Sequence, residues 1–125
     1  MTEITTNPLK GEVLVKLADK DYKCRLTVDS IIRIEEELGE GILATAQKIG
    51  QADVRIKTLR ICLRHALRGG GNDVQDSDVN KIIAQTGIVP IAAEVTKLLV
   101  ATLSDQPVDA GDETSDEVST EKKDQ

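Results

Sequence analysis

Four basic residues at helical spacing are the clearest candidates for chemistry in this chain. Lys57, Arg60, Arg64 and Arg68 stand three or four positions apart, so on a helix they form one basic stripe opposite its apolar face. Such a stripe is typical of a helix that tracks phosphates, and equally of a solvated or protein-facing helix. The acidic run 35–37 offers partners of the right sign, and a single aromatic residue leaves almost no surface for base stacking. These features favour the second interpretation over nucleic-acid binding.

No other residues form a catalytic, metal-binding or phosphate-binding pattern. His65 is the single histidine and has no nucleophile or carboxylate at a motif spacing, so we expect a packing or surface residue. The triple glycine 69–71 follows a predicted helix and lacks a subsequent Lys-Ser or Lys-Thr, which predicts a flexible linker rather than a phosphate loop. Cys24 and Cys62 lack metal-ligand spacing and no secretory signal precedes them, so a reduced cytosolic compartment fits them better than a disulfide. The sequence predicts a protein that is not an enzyme and has no cofactor or metal.

The net charge of -6 belongs to the end of the chain. Residues 1–103 contain 14 acidic and 14 basic residues, whereas residues 104–125 contain 8 acidic and 2 basic residues. That last segment has no aromatic residue and only two valines, so it cannot bury enough apolar surface to offset the entropy of ordering. It is predicted to be a disordered acidic tail, either solubilising or partner-binding. No apolar run approaches the roughly 20 residues needed to span a bilayer, so a soluble protein is expected.

The hydrophobic period changes from two residues to about three and a half within residues 11–39, which predicts a hairpin followed by helices. Asp19 and Lys20 are the expected turn. The inward strand positions are Val13, Val15, Leu17, Tyr22, Cys24 and Leu26. A hairpin at the margin of a helical domain has open edges, so Val15 and Tyr22 are candidate contacts for strand addition by a partner or a second copy.

Five short helices are predicted from the apolar spacing and the positions of glycine and proline. The expected caps are Thr27 or Asp29 for the first helix, Asp53 for the third, and Asp76 or Ser77 for the fourth. The predicted inward residues are Ile31, Ile32, Leu38, Ile42, Leu43, Ala46, Ile49, Ile56, Leu59, Cys62, Leu63, Ala66, Leu67, Val79, Ile82, Ile83, Ile91, Val95, Leu98, Leu99 and Thr102. The fold class is therefore α+β, mostly α, with an arm at 1–10, one domain at 11–103 and the tail at 104–125.

The order of these elements resembles a small family found in gene transfer agents and long-tailed phages, covering about residues 7–103. Its members are labelled gene transfer agent family protein or tail assembly chaperone, and also tail tube protein. The residues that carry the resemblance are Asn7, Pro8, Gly11, Glu12, Arg25, Leu26, Thr27, Glu36, Leu38, Gly39, Leu63, Leu67, Arg68, Gly69, Leu98 and Leu99. Two features depart from the family: Asp19-Lys20 stands where a turn would contain Asp-Gly, which favours a longer loop than a type I′ turn, and the acidic tail is an extension.

The resemblance implies a non-enzymatic assembly chaperone that acts in the cytoplasm of a bacterial host cell. Such a chaperone would bind the tape measure protein, and in some cases the tail tube protein, during tail morphogenesis, and it could act as a homo-oligomer. One alternative is a structural tail component that stays in the particle. Another is a small nucleic-acid-binding regulator that uses the basic stripe. A tube subunit needs an extensive β-sheet, and this sequence offers one hairpin.

Overall fold

A two-stranded hairpin and five helices make up residues 11–104, which are the residues that this computed structural model describes. The strands are β1 (Glu12–Leu17) and β2 (Lys20–Arg25). The helices are α1 (Val28–Leu38), α2 (Ile42–Gly50), α3 (Ile56–Gly69), α4 (Asp76–Thr86) and α5 (Ile88–Leu103). The predicted α+β, mostly helical fold is confirmed. The predicted arm at 1–10 and nearly all of the acidic tail lie outside the described residues.

The hairpin turn is tighter than the sequence suggested. Ala18 and Asp19 are its two central residues, with φ of 51° and 66°, and Leu17 pairs with Lys20. Two consecutive positive φ values define a type I′ turn, whose twist matches that of the flanking strands. The prediction of an Asp19-Lys20 turn with a longer loop is therefore wrong by one residue. Asp tolerates the left-handed conformation without glycine, because its short polar side chain can bond locally.

The alternation predicted for the strands is confirmed by burial. Val15, Leu17 and Cys24 are fully enclosed in the core, while Val13 and Tyr22 pack against its margin. These inward positions face the helices, and α3 packs against β2, α1, α4 and α5. α3 is thus the central helix, as its broad apolar face predicted.

Three helix ends follow local chemistry that the sequence revealed. Thr27 caps α1, and its hydroxyl accepts a hydrogen bond from the Ser30 amide at 3.1 Å. Gly39 ends the same helix in the left-handed conformation with φ of 75°. Pro90 lies in the first turn of α5, where its missing N–H removes no helical bond.

The other two predicted caps are wrong. α3 begins after Arg55 without a side-chain cap, because the amide of Asp53 bonds to the Lys48 carbonyl and keeps Asp53 in the preceding loop. Gln75 caps α4, one residue before the predicted position. The backbone N–H of Gln75 donates to the Asp78 carboxylate at 2.8 Å, which completes a capping box.

Three inward assignments also change. Ile56 is 51% exposed, although it was predicted to be buried, because it is the first residue of α3 and lies beside an open groove. Leu43 is 69% exposed, although it was predicted to be buried, because α2 turns Ile42, Thr45 and Ile49 towards the core. The buried Thr45 hydroxyl donates to Glu40 at 2.8 Å, which removes the cost of burying it. On α1, Ile34 fills the core in place of the predicted Ile32, which is about half exposed.

The triple glycine is a packing contact rather than a flexible linker. A Cβ at Gly70 would lie 1.8 Å from the Lys23 carbonyl oxygen, and one at Gly69 would lie 2.1 Å from the Arg25 carbonyl oxygen. Only glycine therefore allows the end of α3 to approach the backbone of β2 this closely. The prediction of a flexible linker is wrong for Gly69 and Gly70, since they hold the hairpin against the central helix.

No single helix among residues 11–104 is long and apolar enough to cross a membrane. α4 and α5 meet that test only as a pair, and the pair is bent by 113°.

Candidate functional site

The basic stripe is not a uniform solvated face. Lys57 is exposed and Arg60 is half-buried, but the Arg64 side chain is only 11% exposed. Arg68 is exposed, yet its Nε donates to the Val74 carbonyl at 2.9 Å. The prediction that all four residues lie opposite the apolar face is wrong for Arg64, because α1 and α4 both pack over that side of α3.

Arg64 connects three helices through two carboxylates. Its guanidinium donates to Glu37 of α1 and to Asp76 of α4, each at 2.5 Å. His65 adds a second contact to Glu37, with Nε2 and Oε2 2.6 Å apart. We call Glu37, Arg64, His65 and Asp76 the α1–α3–α4 network. The acidic partner expected for the stripe on a neighbouring helix is Glu37, and the partner on α4 was not predicted.

The network favours the charged form of both carboxylates. Partial burial of Glu37 opposes ionisation, but hydrogen bonds from Arg64 and His65 outweigh it and hold the pKa below 4.5. The hydrogen bond from Arg64 lowers the pKa of Asp76 below 3.8, with further help from the charges of Arg64, Arg60 and Arg68. The network is therefore a structural ion-pair cluster in which both terminal nitrogens of Arg64 are paired inside the fold, while its buried Nε has no hydrogen-bond partner among residues 11–104.

The hairpin residues singled out from the sequence face the core. Val15 is 2% exposed, and its partner across the strands is Tyr22, which is half-buried on the same face. Neither side chain stands at an open edge, so contact with an added strand would be through the backbone. Partner binding stays a prediction for all six candidate residues, which are Lys57, Arg60, Arg64, Arg68, Val15 and Tyr22.

The exposed apolar surface was missed by the sequence reading. A groove of about 430 Å³ lies where the start of α3, the end of α4 and the start of α5 meet. Its lining residues are Ile56, Asn80, Ile83, Ala84, Gly87 and Ile88. Val89 next to it is also exposed. The signal in the sequence was Ile88-Val89-Pro90, since a pair of large apolar residues before the predicted apolar face of α5 had no assigned partner.

The described residues contain no cluster of three or more His, Cys, Asp or Glu that could hold a metal ion. Cys24 and Cys62 are free thiols, and burial raises the pKa of each to about 12.

A second hollow, of about 340 Å³, lies between α2 and the start of α3, where Lys48 pairs with Glu40 at 2.7 Å. Its charges neutralise each other, so it concentrates no single sign of charge.

Comparison with known families decides the identity of this architecture. Residues 10–105 match the family described as "Phage tail tube protein, GTA-gp10". The chain belongs to this family. The match spans all seven elements, from the start of the hairpin to the end of α5. Neither a curated protein nor a solved structure matches the chain.

Membership of the GTA-gp10 family makes this a tail protein of a phage or gene transfer agent, as the resemblance implied. For a member of this family, the features that could contact other tail components are the apolar groove, the exposed part of the basic stripe and the hairpin edges. The groove and the stripe share α3, which contains both Ile56 and Lys57, whereas the hairpin edges lie on β1 and β2. The α1–α3–α4 network, by contrast, belongs to the framework that holds α3 in place.

Proposed function

We propose that this protein is a non-enzymatic tail assembly chaperone that binds the tape measure protein in the cytoplasm of a bacterial host cell. The observation that carries the proposal is the closed edge of β2. Asn72 donates to the Lys23 carbonyl at 2.8 Å, and Gly69 and Gly70 lie against the same edge. A tail tube subunit that joins its neighbours by strand pairing needs two open strand edges. The described hairpin has at most one, because the edge of β2 is covered.

The apolar groove supports a helical client. Ile56 and Ile88 are each about half exposed at its rim, and Ile83 forms part of its lining. An amphipathic helix binds such a groove through side chains at i, i+3, i+4 and i+7. A tape measure protein with many apolar helical segments would engage several copies of the chaperone, so weak individual contacts would add up along its length.

The second candidate is a structural tail component that stays in the particle. It is favoured by the description of the family as a tail tube protein. It would contact other tail components through the apolar groove and the outer edge of β1 rather than through a continuous sheet. The two functions differ in one measurable quantity, the number of copies in a purified particle.

A nucleic-acid-binding regulator is the least supported of the three functions. Arg64 is held by Glu37 and Asp76, and Arg68 bonds to the backbone of Val74, so only part of the basic stripe is available to phosphates. A regulator would need a steep dependence of DNA affinity on salt. Binding that is absent or independent of salt between 50 and 200 mM would remove this alternative.

The test is co-expression with the longest coiled-coil-like protein encoded nearby, which is the presumptive tape measure protein. We expect that this client becomes soluble and co-purifies, and that purified particles lack the chaperone. An unrelated coiled-coil protein of similar length is the matched control. If the client stays insoluble and the protein is found in intact particles, the structural function replaces the chaperone function.

A further inference from the structure

The seam between α3 and α4 changes from charged to apolar along its length. At one end Arg64 pairs with Asp76, and at the other end Ile56 and Ala84 line the apolar groove. A step back along α3 therefore matches a step forward along α4, so the two helices run antiparallel. Arg60 stands midway, because residues four apart lie on the same side of a helix and it is four residues from both Arg64 and Ile56.

Arg60 has no hydrogen bond or ion pair within residues 11–104, although its Nε is buried. Its charge contributes to the low pKa of Asp76, so the guanidinium lies on the side of α3 that faces α4. The two arginines that follow at one-turn spacing are engaged, Arg64 by carboxylates and Arg68 by the Val74 carbonyl. A partly buried guanidinium without an acceptor is a group that a bound carboxylate would satisfy.

The groove beside Arg60 offers apolar surface and no carboxylate. Asn80 is its one polar lining side chain among the described residues, and that side chain makes no hydrogen bond with them. Asn80 lies on α4 at the level of Arg60 on α3, since each is one turn from the charged end of the seam. A partner that fits this surface must supply apolar side chains for Ile56, Ile83 and Ile88, and a carboxylate for Arg60.

We propose that the groove binds an amphipathic helix whose carboxylate, one turn from its apolar side chains, pairs with Arg60 and accepts a hydrogen bond from Asn80. The inference rests on the proposed chaperone function for the identity of this helix, which then belongs to the tape measure protein. Four residues rise about 6 Å on both helices. A helix that lies along the seam therefore places its apolar side chains near Ile56 and its carboxylate at Arg60 in one register.

Two other occupants fit the groove less well. The segment 104–125 contains eight acidic residues but only two valines, so it supplies the charge with little apolar surface. The same face of a second copy would supply apolar side chains but no carboxylate, because no lining residue is acidic. An acidic amphipathic helix supplies both kinds of contact.

The test uses the full chain and three synthetic helical peptides of about 20 residues. All three have leucine at i and i+4, and they differ only at i−4 and i+8, which are both Glu, both Gln or both Lys. Both flanks change together so that the peptide can bind in either direction. We expect the Glu peptide to bind about tenfold more tightly than the Gln peptide, and the Lys peptide to bind most weakly. Fluorescence anisotropy up to about 500 µM protein measures these affinities.

Arg60→Gln should remove the preference for the Glu peptide, and Arg60→Lys should retain part of it because the charge remains. Lys81→Gln is the matched control, since it removes the same charge from an exposed residue next to Asn80 that does not line the groove. Circular dichroism checks that each variant is folded. Equal affinity for the three peptides, binding of none of them, a preference that survives Arg60→Gln, or its loss in Lys81→Gln would each overturn the inference.

Further measurements separate the other occupants. If a synthetic peptide of residues 104–125 displaces the Glu peptide, the acidic tail replaces the helix as the occupant. If sedimentation shows a dimer that the Glu peptide dissociates, a second copy replaces it.

Co-expression separates this inference from the proposed function. If the wild type solubilises the tape measure protein but shows no charge preference among the peptides, the chaperone function stands and the inference fails. If the preference depends on Arg60 but the tape measure protein stays insoluble, the groove still selects an acidic amphipathic helix, and the chaperone function fails.

Discussion

The side-chain amide of Asn72 donates to the Lys23 carbonyl at 2.8 Å and to the Leu67 carbonyl at 3.1 Å. Both neighbours are acceptors, so the nitrogen of the amide must face them. One side chain thus satisfies the outer edge of β2 and the end of α3 together. This contact fixes the hairpin to the central helix and covers the outer edge of β2.

Replacement of Asn72 by alanine should lower the free energy of unfolding by about 1–2 kcal/mol, because the Lys23 carbonyl loses its donor, whereas the Leu67 carbonyl keeps the backbone amides of Gly70 and Asn72. Chemical denaturation followed by circular dichroism measures this difference. Asn80→Ala is the matched control, since Asn80 is exposed and its side chain makes no hydrogen bond within residues 11–104. Equal stability of the two variants would show that water replaces the Asn72 amide without cost.

Gly70→Ala should destabilise the fold by at least about 2 kcal/mol, since the added methyl would lie 1.8 Å from the Lys23 oxygen and the backbone of β2 would have to move. Gly50→Ala is the control, because a Cβ there meets nothing within 4 Å and the residue is helical. That control should be neutral or up to about 0.5 kcal/mol more stable. Thermal unfolding of both variants tests the prediction, and a neutral Gly70→Ala would contradict the close approach of α3 to β2.

The α1–α3–α4 network should make stability depend on pH in the acidic range. A carboxyl whose pKa is lower in the folded state than in the unfolded state contributes stability above the unfolded pKa, and the contribution is lost as pH falls through the folded pKa. For Glu37 the loss should begin near pH 4.5 and continue below it.

Glu37→Gln should therefore be less stable than the wild type at pH 7 and approach it at pH 3, so its stability should fall less steeply with acid. Denaturant midpoints at several pH values measure this difference. Glu36→Gln is the matched control, since Glu36 lies next in the helix, is exposed and takes no part in the network. Parallel pH curves for the wild type and Glu37→Gln would sink the prediction.

Local periodicity accounts for the parts of the fold that the sequence predicted. The alternation of Val15 and Leu17 with exposed neighbours, and the spacing of Leu59, Cys62 and Leu63, depend only on which side of each element faces the core. The element order and the confirmed ends at Thr27 and Gly39 follow for the same reason. Each of these features is encoded within a few residues.

The missed features depend on distant partners. Arg64 looked solvated because three-residue and four-residue spacing does not reveal that Glu37 lies across from it, 27 positions earlier. Gly70 looked flexible because its contact, Lys23, comes from a separate strand. The groove at Ile88 forms only where three helices meet, and a helical-wheel projection of α5 alone does not reveal it.

The proposed chaperone function predicts that Ile88→Glu abolishes solubilisation of the tape measure protein while the variant itself stays folded. A carboxylate at the rim of the apolar groove would have to lose water when an apolar helix binds. The free energy of that desolvation exceeds the free energy gained from the apolar contact. Val100→Glu is the matched control, since Val100 is also exposed on α5 but lies 12 residues, or about 18 Å, along the helix. Co-expression followed by measurement of the soluble client fraction compares the variants. If both variants solubilise the client equally well, the groove is not the binding site; if both fail, the client contacts the length of α5 instead.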